Sequence, residues 1–374
     1  MKQTKTADLA AKALFRIVSK TSKFLLPAPA GLLPESYVRS IEENLCFSWL
    51  QPHVEKVVPL LPAKVESYAF PDDFPVYFRR QKAFDPLNAF LLRDVIFDPL
   101  SGGVWLPDGK HFLGESVGSI NRVMLWSNSI HRFWGRGRPA ESDRIVVPVW
   151  GRNYYHFMLE ELPRALHALK VCPDACLVAS PRAPGFVHDI LRVVLRSHPG
   201  AISCNWSQKS RVDRLLLVSA QEHSGFTRTE SLQEVVKLLP EGAGSGPGRK
   251  LYLSRKLASG RQVENEPEIE MLFKQNGYEA VYLERYPVVD QWKLLNSAAA
   301  VAGFSGAGFA NAAFCRPGTR VCCIFKRETF IDCFARLAVQ RGLGYSYVNY
   351  FRDDGSEWDP RWLVETVTNK QRLP

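Results

Sequence analysis

The feature that most constrains this fold is a regular alternation of strand-like and helix-like patterns that begins after Arg144. Short apolar runs alternate with segments of helical periodicity, in the order 145–150, 154–169, 175–179, 186–196, 215–218 and 231–239. An alternating order of this kind predicts a parallel sheet with helices on its faces, because parallel neighbours need a crossover connection. The sequence therefore predicts an α/β fold.

A glycine- and proline-rich stretch separates this unit from a second one. Six of the nine residues in 240–248 are Gly or Pro, which predicts a linker over 241–248. Strand and helix patterns then resume, in the order 250–254, 267–276, 278–283, 288–297, 299–303, 321–325 and 330–341. A length of 374 residues is sufficient for two domains. We expect an N-terminal α/β domain at 35–240, a C-terminal Rossmann-like domain at 249–350 and a tail at 351–374.

The region before the α/β pattern has two parts. Residues 35–145 are rich in short strands and turn signals, so we expect the first domain to start with a β-rich extension. Residues 1–34 hold six of the lysines and arginines of a chain whose formal net charge is +10. Lys12, Arg16 and Lys20 recur every fourth position, which predicts a basic amphipathic helix over 7–26. This helix either binds an anionic membrane surface or packs on its own domain with a solvated lysine face.

Several classes of protein are disfavoured by composition and spacing. No apolar run is long enough to span a membrane and no signal peptide is visible, so we expect a cytoplasmic protein, free or peripheral on the inner face of the cytoplasmic membrane. The eight cysteines and the acidic residues show no metal-ligand spacing, which predicts no metal site. Arg132 and Arg136 surround Phe133 and Trp134, but a solvated loop explains this better than base stacking, and we expect no nucleic-acid partner.

A first group of reactive side chains follows the strand at 145–150. His156, Glu160 and Arg164 are four residues apart, which places them on one face of the predicted helix. Open α/β sheets bind ligands at the carboxyl ends of their strands, and a histidine beside a carboxylate can act as a general base. The alternative is a surface ion pair between Glu160 and Arg164 beside a histidine of the first turn.

A second group follows the strand at 250–254. Arg255 and Arg261 carry guanidinium groups that suit phosphate oxygens, although a basic loop in solvent would have the same sequence. Asn265 and Glu266 precede Pro267, where they either cap the following helix or bind hydroxyl groups of a ligand.

A glycine-rich turn after the strand at 299–303 forms the third group. Glycines let a backbone approach a ligand closely, and the free N–H groups at the start of a helix favour an anion such as a diphosphate. The alternative is a tight strand-to-helix turn without a ligand. The residues concerned are Ser305, Gly306, Ala307, Gly308 and Asn311.

The ordered set of these motifs resembles glycosyltransferase family 61. The family carries a G-N-Y-Y-H-x-x-x-D/E-x-L-P-R block, which here runs from Gly151 to Arg164, with Arg152 inserted after the glycine and Glu160 as the acidic residue. It then carries S-R, a nearby R, N-E, a Gln at a helix start, and a late G-A-G-x-x-N block. The counterparts here are Ser254, Arg255, Arg261, Asn265, Glu266, Gln291 and the turn from Gly306 to Asn311. The resemblance covers residues 85–330, with Ser305 where the family usually has a histidine before G-A-G.

The resemblance implies a GT-B architecture, in which two Rossmann-like domains face a cleft, and an inverting, metal-independent glycosyltransferase. The C-terminal domain would hold a nucleotide sugar, expected to be UDP-linked, with no further cofactor. The diphosphate would lie on Ser305, Gly306, Ala307, Gly308 and Asn311, beside Arg255, Arg261, Asn265 and Glu266.

The N-terminal domain would bind the acceptor, a glycan or lipid-linked glycan of polysaccharide or capsule biosynthesis. Either Glu160 or His156 would deprotonate the attacking hydroxyl while the other orients it. Asn153, Tyr155 and Arg164 would bind or orient the acceptor. Two alternatives stay open. One is an oxidoreductase that uses the Gly306 loop for a nicotinamide cofactor, with Glu328 twenty residues past Gly308, and the other is a degenerate transferase that serves as a scaffold.

Overall fold

The structure is a computed structural model that describes residues 36–38, 41–71, 74–75, 78–109, 111–117, 138–139, 142–220, 225–242, 248–258, 260, 262–326, 331–352 and 356–371. Four of the sequence predictions fall on other residues. The basic helix at 7–26, most of the linker at 241–248, Arg261 and Glu328 lie outside the described residues.

Strands are numbered in chain order. They are β1 (Ser36–Val38), β2 (Val54–Leu61), β3 (Lys64–Ser67), β4 (Gln81–Phe84), β5 (Leu87–Asp98), β6 (Gly103–Trp105), β7 (His111–Leu113), β8 (Arg138–Pro139), β9 (Val146–Pro148), β10 (Cys176–Ala179), β11 (Ile202–Asn205), β12 (Ser210–Val218), β13 (Arg249–Leu253), β14 (Glu279–Val281), β15 (Ala298–Phe304), β16 (Arg320–Phe325) and β17 (Gly344–Asn349).

Helices are numbered in the same way. They are α1 (Tyr154–His156), α2 (Leu162–Val171), α3 (Gly185–Ser197), α4 (Thr229–Val236), α5 (Glu266–Gln275), α6 (Val288–Asn296), α7 (Cys333–Arg341) and α8 (Pro360–Lys370). A π-helical turn, Phe157–Glu161, joins α1 to α2, and a 3₁₀ helix, Ala307–Phe314, follows β15.

The first sheet is mixed and has ten strands. Its path is β1-β7-β6-β5-β12-β9-β10-β11, with β2 also paired to β5 and β8 to β12. The strands β11, β10, β9 and β12 are parallel, as the βαβα pattern predicts. β5 lies antiparallel to β12, with Ala89 opposite Val218 and Phe97 opposite Ser210. The predicted β-rich extension is therefore continuous with the α/β part through β5.

The second sheet is parallel throughout and has the order β14-β13-β15-β16-β17. The chain leaves β13 toward β14 on one side and continues from β15 to β17 on the other. The direction of winding therefore reverses between β13 and β15. In sheets of this kind ligands bind in the crevice outside the carboxyl ends of the two strands that flank the reversal.

Helices from both sheets share one hydrophobic core. Leu159 and Val218 from the first half are in the same buried cluster as Trp292 and Phe314 from the second, and the rings of Trp292 and Phe314 stack at a centroid distance of 4.5 Å. A smaller aromatic cluster also joins the two halves, since Phe74 packs edge-on against Tyr347 of β17 at 5.3 Å. The two halves are thus packed directly on each other.

The structure also contains elements that sequence analysis did not separate. α8 lies in the region predicted as a tail, and its Leu363, Val364 and Val367 are buried in the core of the second sheet. β11 and β17 extend the two sheets by one strand each. Among the described residues, no helix has both the length and the apolar character to cross a membrane.

Candidate active site

The ends of β13 and β15 bring two of the predicted groups together. Leu253 is paired with Gly303, so the residues that follow each strand, Arg255 and Gly306, emerge side by side at the reversal in the winding order. The sheet topology therefore places these two residues at the edge where a ligand is expected.

Arg255 lies directly against Gly306. Gly306 has an extended backbone, with φ −173°, that any residue can adopt. It is the space that requires a glycine, because a Cβ at this position would overlap the guanidinium Nη1 of Arg255. Gly308 is similarly close to Leu283, whose Cδ1 would be 2.8 Å from an added Cβ. The glycines thus let Arg255 lie across the start of the 3₁₀ helix, beside Ser305 and Ala307.

The loop that carries Arg255 is anchored by nearby residues. Its Nη2 donates to the carbonyl of Gly260 at 2.6 Å, and its backbone N–H donates to Oε1 of Glu266 at 2.5 Å. Glu266 is 1% exposed, and burial raises the pKa of its carboxyl, while the N–H of Arg255 acts in the opposite direction. Its second oxygen, Oε2, is buried without a hydrogen-bond partner among the described residues. Glu266 therefore lies beneath the loop and supports the backbone of Arg255.

Asn265 does not cap the helix that it precedes. It stands at the N-cap of α5 without a side-chain capping hydrogen bond, and its Nδ2 donates to the hydroxyl of Tyr350 at 2.5 Å. Its Oδ1 is buried and has no partner among the described residues. The capping alternative for the side chain of Asn265 is therefore wrong.

Asn311 links the glycine turn to the first half of the molecule. It is fully buried, its Oδ1 accepts a hydrogen bond from the hydroxyl of Tyr154 at 2.5 Å, and its Nδ2 donates to Gln291 at 3.0 Å. The same hydroxyl accepts from Nε1 of Trp292 at 3.3 Å. Burial raises the pKa of Tyr154, so the phenol keeps its proton. Asn311 thus ties the 3₁₀ helix that follows the glycine turn to Tyr154 of α1.

His156 and Glu160 form a close pair that follows Tyr154, the residue through which Asn311 is bound to the first half of the molecule. Asn153 caps α1, because its Oδ1 accepts from the backbone N–H of Tyr155 at 2.9 Å and sets the start of the helix. One turn later, Nδ1 of His156 lies 3.0 Å from Oε1 of Glu160. The same oxygen accepts a hydrogen bond from the backbone N–H of Gly225 at 2.7 Å.

The two members of this pair differ in exposure. The imidazole of His156 is 48% exposed, whereas the side chain of Glu160 is 13% exposed. The hydrogen bond to the carboxylate of Glu160 raises the pKa of His156, and burial opposes this shift. The imidazole is therefore the member of the pair that a substrate can reach, with the carboxylate behind it.

Arg164 does not share a face with His156 and Glu160, contrary to the prediction from spacing. The π-helical turn at Phe157–Glu161 adds a residue to the turn, which rotates everything beyond it and breaks the four-residue register. Arg164 pairs with Glu161 at 3.0 Å, and its Nε donates to the carbonyl of Val218 at 3.0 Å. Neither the predicted three-residue face nor the alternative Glu160–Arg164 pair forms.

Tyr155 faces the second half of the molecule rather than solvent. Its ring packs edge-on against Phe334 of α7 at 5.5 Å, and burial raises the pKa of its phenol well above the usual value. Gly225 and Glu161 have contacts in the site that sequence analysis did not single out. The only local signal for Gly225 is a glycine in a polar turn, where its φ of +88° favours glycine.

No group of three or more His, Cys, Asp or Glu side chains in the described part of the chain is arranged to hold a metal ion. A wide groove with Lys250, Arg316 and Arg320 on its walls lies at the opposite end of the second sheet, where the strands begin. The C-termini of helices, which carry a partial negative charge, lie at that end of a parallel α/β sheet. Their charge explains the cationic side chains of the groove, so no bound ligand has to be assumed.

Residues 154–322 match the family model described as Glycosyltransferase 61. The matched segment begins beside the cap of α1 and includes both the His156–Glu160 pair and the Arg255–Gly306 contact. No curated protein matches the chain.

Proposed function

We propose that this chain transfers a sugar from a nucleotide sugar to a hydroxyl group of a glycan. The proposal starts from its membership of glycosyltransferase family 61, which makes it a glycosyltransferase. The observation that carries the proposal is the contact of Arg255 with Gly306 at the ends of two adjacent parallel strands. The helix that starts there is hydrogen-bonded through Asn311 to Tyr154, two residues before His156. Arg255 beside the glycine turn is thus linked to the segment that carries His156 through the hydrogen bond between Asn311 and Tyr154.

The donor diphosphate is proposed to lie on Ser305, Gly306, Ala307 and Gly308. Arg255, with Arg261 from outside the described residues, would offset the negative charge that grows on the leaving nucleotide. Guanidinium groups that face developing charge in a site with little water stabilise the transition state without moving, which fits a metal-independent reaction. A UDP-linked sugar is the donor class that we propose first.

Three residues that the family resemblance assigns to the donor are proposed instead to hold the loops that touch it. The side chains of Glu266 and Asn311 are almost fully buried, and Asn265 uses its amide nitrogen on Tyr350. A phosphate or sugar hydroxyl would have to displace existing protein hydrogen bonds to reach Asn311.

His156 is proposed as the general base and Glu160 as its orienting partner. The carboxylate accepts from Gly225 and faces Nδ1, which fixes the ring, and Nε2 is the nitrogen proposed to accept the proton. The acceptor hydroxyl would lose its proton to Nε2 as its oxygen attacks the anomeric carbon and the nucleotide diphosphate leaves. Attack on the face opposite the leaving group gives inversion. Three further residues would act on the pair indirectly. Asn153 would set the start of α1 as its cap, and Arg164 would hold α2 through its hydrogen bond to Val218. Tyr155 would hold α1 through its contact with Phe334 of α7.

The two halves are proposed to correspond to the two Rossmann-like domains of a GT-B enzyme, with boundaries near 240 and 249. The parallel orders in both sheets support this assignment, since each has a reversal of winding at its carboxyl edge. The acceptor proposed is a growing polysaccharide or a lipid-linked glycan, as the family resemblance implies.

The experiment is a comparison of two arginine variants in nucleotide-sugar binding. Arg255→Met should weaken binding of the donor by about ten- to a hundredfold, the range for loss of a charged hydrogen bond. Arg249→Met is the matched control, because Arg249 is a partly exposed arginine at the start of β13, the strand that Arg255 follows, and pairs with Glu279. A panel of nucleotide sugars is screened by thermal shift and the hits are titrated calorimetrically. Equal affinity in the two variants, or no binding by the unmodified protein, would overturn the proposal.

A further inference from the structure

Residues 225–227, here called the strap, lie between the His156–Glu160 pair and α7 of the second half. On one side, the N–H of Gly225 donates to Oε1 of Glu160 at 2.7 Å, and the hydroxyl of Thr227 donates to the carbonyl of Leu159 at 2.7 Å. Both contacts fall within the π-helical turn. The strap therefore fixes the backbone and the carboxylate of the turn that carries Glu160.

On its other side, the strap is held by two side chains of α7. Nη2 of Arg336 donates to the carbonyl of Gly225 at 2.7 Å, and Nε2 of Gln340 donates to the carbonyl of Thr227 at 2.6 Å. Residues four apart on a helix lie on the same face, so one face of α7 donates hydrogen bonds to the carbonyls of both Gly225 and Thr227. These partners are more than 100 residues away from the strap in sequence.

The side chain of Arg336 is buried between its partners and is not a surface group. It is 3% exposed, pairs with Asp332 one turn earlier, and places its guanidinium carbon 3.7 Å from the ring centroid of Phe226 in the strap. Cation–π contacts of desolvated arginines are among the stronger ones, so the strap is held by its ring as well as by its carbonyls.

We propose that Arg336 is a positioning residue that sets the geometry of the His156–Glu160 pair through the strap. The chain of contacts runs from Arg336 to the carbonyl of Gly225, and from the N–H of Gly225 to Glu160 and then to Nδ1 of His156. The proposal rests on the proposed function for its effect on catalysis. It also ties the position of the base to α7, which follows β16, the strand whose Ile324 accepts from the backbone N–H of Ser305 at 2.8 Å.

The charged groups that the described residues place around the pair act on the pKa of His156 in both directions. Glu160 and Glu161 on its own helix segment both act to raise the pKa of His156. Cys333 and Arg336 of α7 lie near Tyr155, Arg336 also contacts Gly225, and Asp332, immediately before α7, pairs with Arg336. Loss of the positive charge of Arg336 would by itself favour the protonated imidazole. Loss of the positioned contact with Glu160 would disfavour it. The hydrogen bond to Glu160 is the main cause that raises the pKa of His156, so we expect the second effect to prevail and the pKa to fall.

The experiment measures the titration of His156 by NMR in full-length protein that carries Arg336→Met, Arg336→Lys or Arg341→Met. His156→Asn identifies the signal among the eight histidines. Arg341 is the matched control, because it is also an arginine of α7 and donates to a backbone carbonyl, that of Cys315 at 3.3 Å, away from the strap. The expected result is a lower pKa of His156 in Arg336→Met, partial restoration in Arg336→Lys and no change in Arg341→Met.

Turnover provides the second measurement. Arg336→Met should lower kcat by about a hundredfold, as expected when a reacting group is displaced by about 1 Å, while KM for the donor changes little. If Arg336→Met does not fold, Gln340→Leu should shift the titration of His156 in the same direction by a smaller amount. An unchanged or higher pKa of His156 in the folded variants overturns the proposal. A lower pKa in a protein without transferase activity would instead support the positioning role and count against the proposed function.

Discussion

Arg255 lies in the second half of the molecule and Glu160 in the first, and the two are held in place by different kinds of contact. Arg255 is anchored by Gly260 and Glu266, which are 5 and 11 residues away in sequence. Glu160 is anchored by Gly225, 65 residues away, which is itself held by Arg336, another 111 residues further along the chain. The proposed donor side is thus stabilised within one βα unit, whereas the proposed base depends on the packing of both halves. Changes on the donor side should therefore act on binding, and distant changes should act on the base.

The largest expected effect is that of His156→Asn. The amide of asparagine can still donate to Glu160, but it cannot accept a proton at neutral pH, so kcat should fall about 10²- to 10⁴-fold. Donor affinity should remain within a factor of two to three, because His156 is on the base side. Steady-state kinetics and a donor titration on the same preparation measure both. Turnover close to that of the unmodified enzyme would remove His156 from the role of base.

Glu160→Gln should have the next largest effect, and it should change the pH profile as well as the rate. The carboxylate raises the pKa of His156, so the neutral, reactive imidazole of the unmodified enzyme is populated only above that raised pKa. With glutamine the pKa moves down toward 6.5, and the acid limb of kcat/KM moves to lower pH while the plateau falls about a hundredfold. An acid limb that stays in place or moves up would assign the proton transfer to another group.

The hydrogen bond between His156 and Glu160 also predicts how the free energy of unfolding changes with pH. Because the folded state raises the pKa of His156, the contribution of the pair is fully present below pH 6.5 and is lost as pH rises through the raised pKa. Glu160→Gln should therefore destabilise the protein more at pH 6 than at pH 9, as measured by urea unfolding. This effect is modest because the imidazole is half exposed to solvent.

The contrast between the two sides also explains which parts could be predicted from sequence. The alternation of strands and helices predicts the parallel strands of both sheets, because it depends on residues near each other in the chain. The glycine turn after β15 predicts the close approach of a ligand, and the structure shows the guanidinium of Arg255 in the space beside Gly306. The register of Arg164 could not be predicted, since a π-helical turn has no simple pattern in Phe157–Glu161. The strap was also missed, because its contacts join three segments that only the tertiary fold brings together.

Gly306→Ala tests the donor side with a single methyl group. The added Cβ would displace the guanidinium of Arg255, so KM for the donor should rise about tenfold or more while the acid limb of the pH profile stays in place. Gly260→Ala is the matched control, since an added Cβ there meets no atom within 4 Å and the carbonyl that accepts from Arg255 remains. Similar kinetics in the two variants would contradict a role for the Arg255–Gly306 contact in donor binding.

Tyr154→Phe should have the smallest effect on turnover, and it tests the connection between the two sides. The hydroxyl donates to Oδ1 of Asn311 and accepts from Trp292, so its removal leaves two buried polar atoms without this partner. The free energy of unfolding should fall by about 1–3 kcal/mol, the usual cost of an unsatisfied buried group. Because the 3₁₀ helix is tied to α1 by this bond, KM for the donor and kcat should both worsen by a few-fold. Asn311→Ala combined with Tyr154→Phe should cost less than the sum of the single changes, since each removes the same bond. Strict additivity in this double-mutant cycle would mean that the two sides of the site are held together by packing alone.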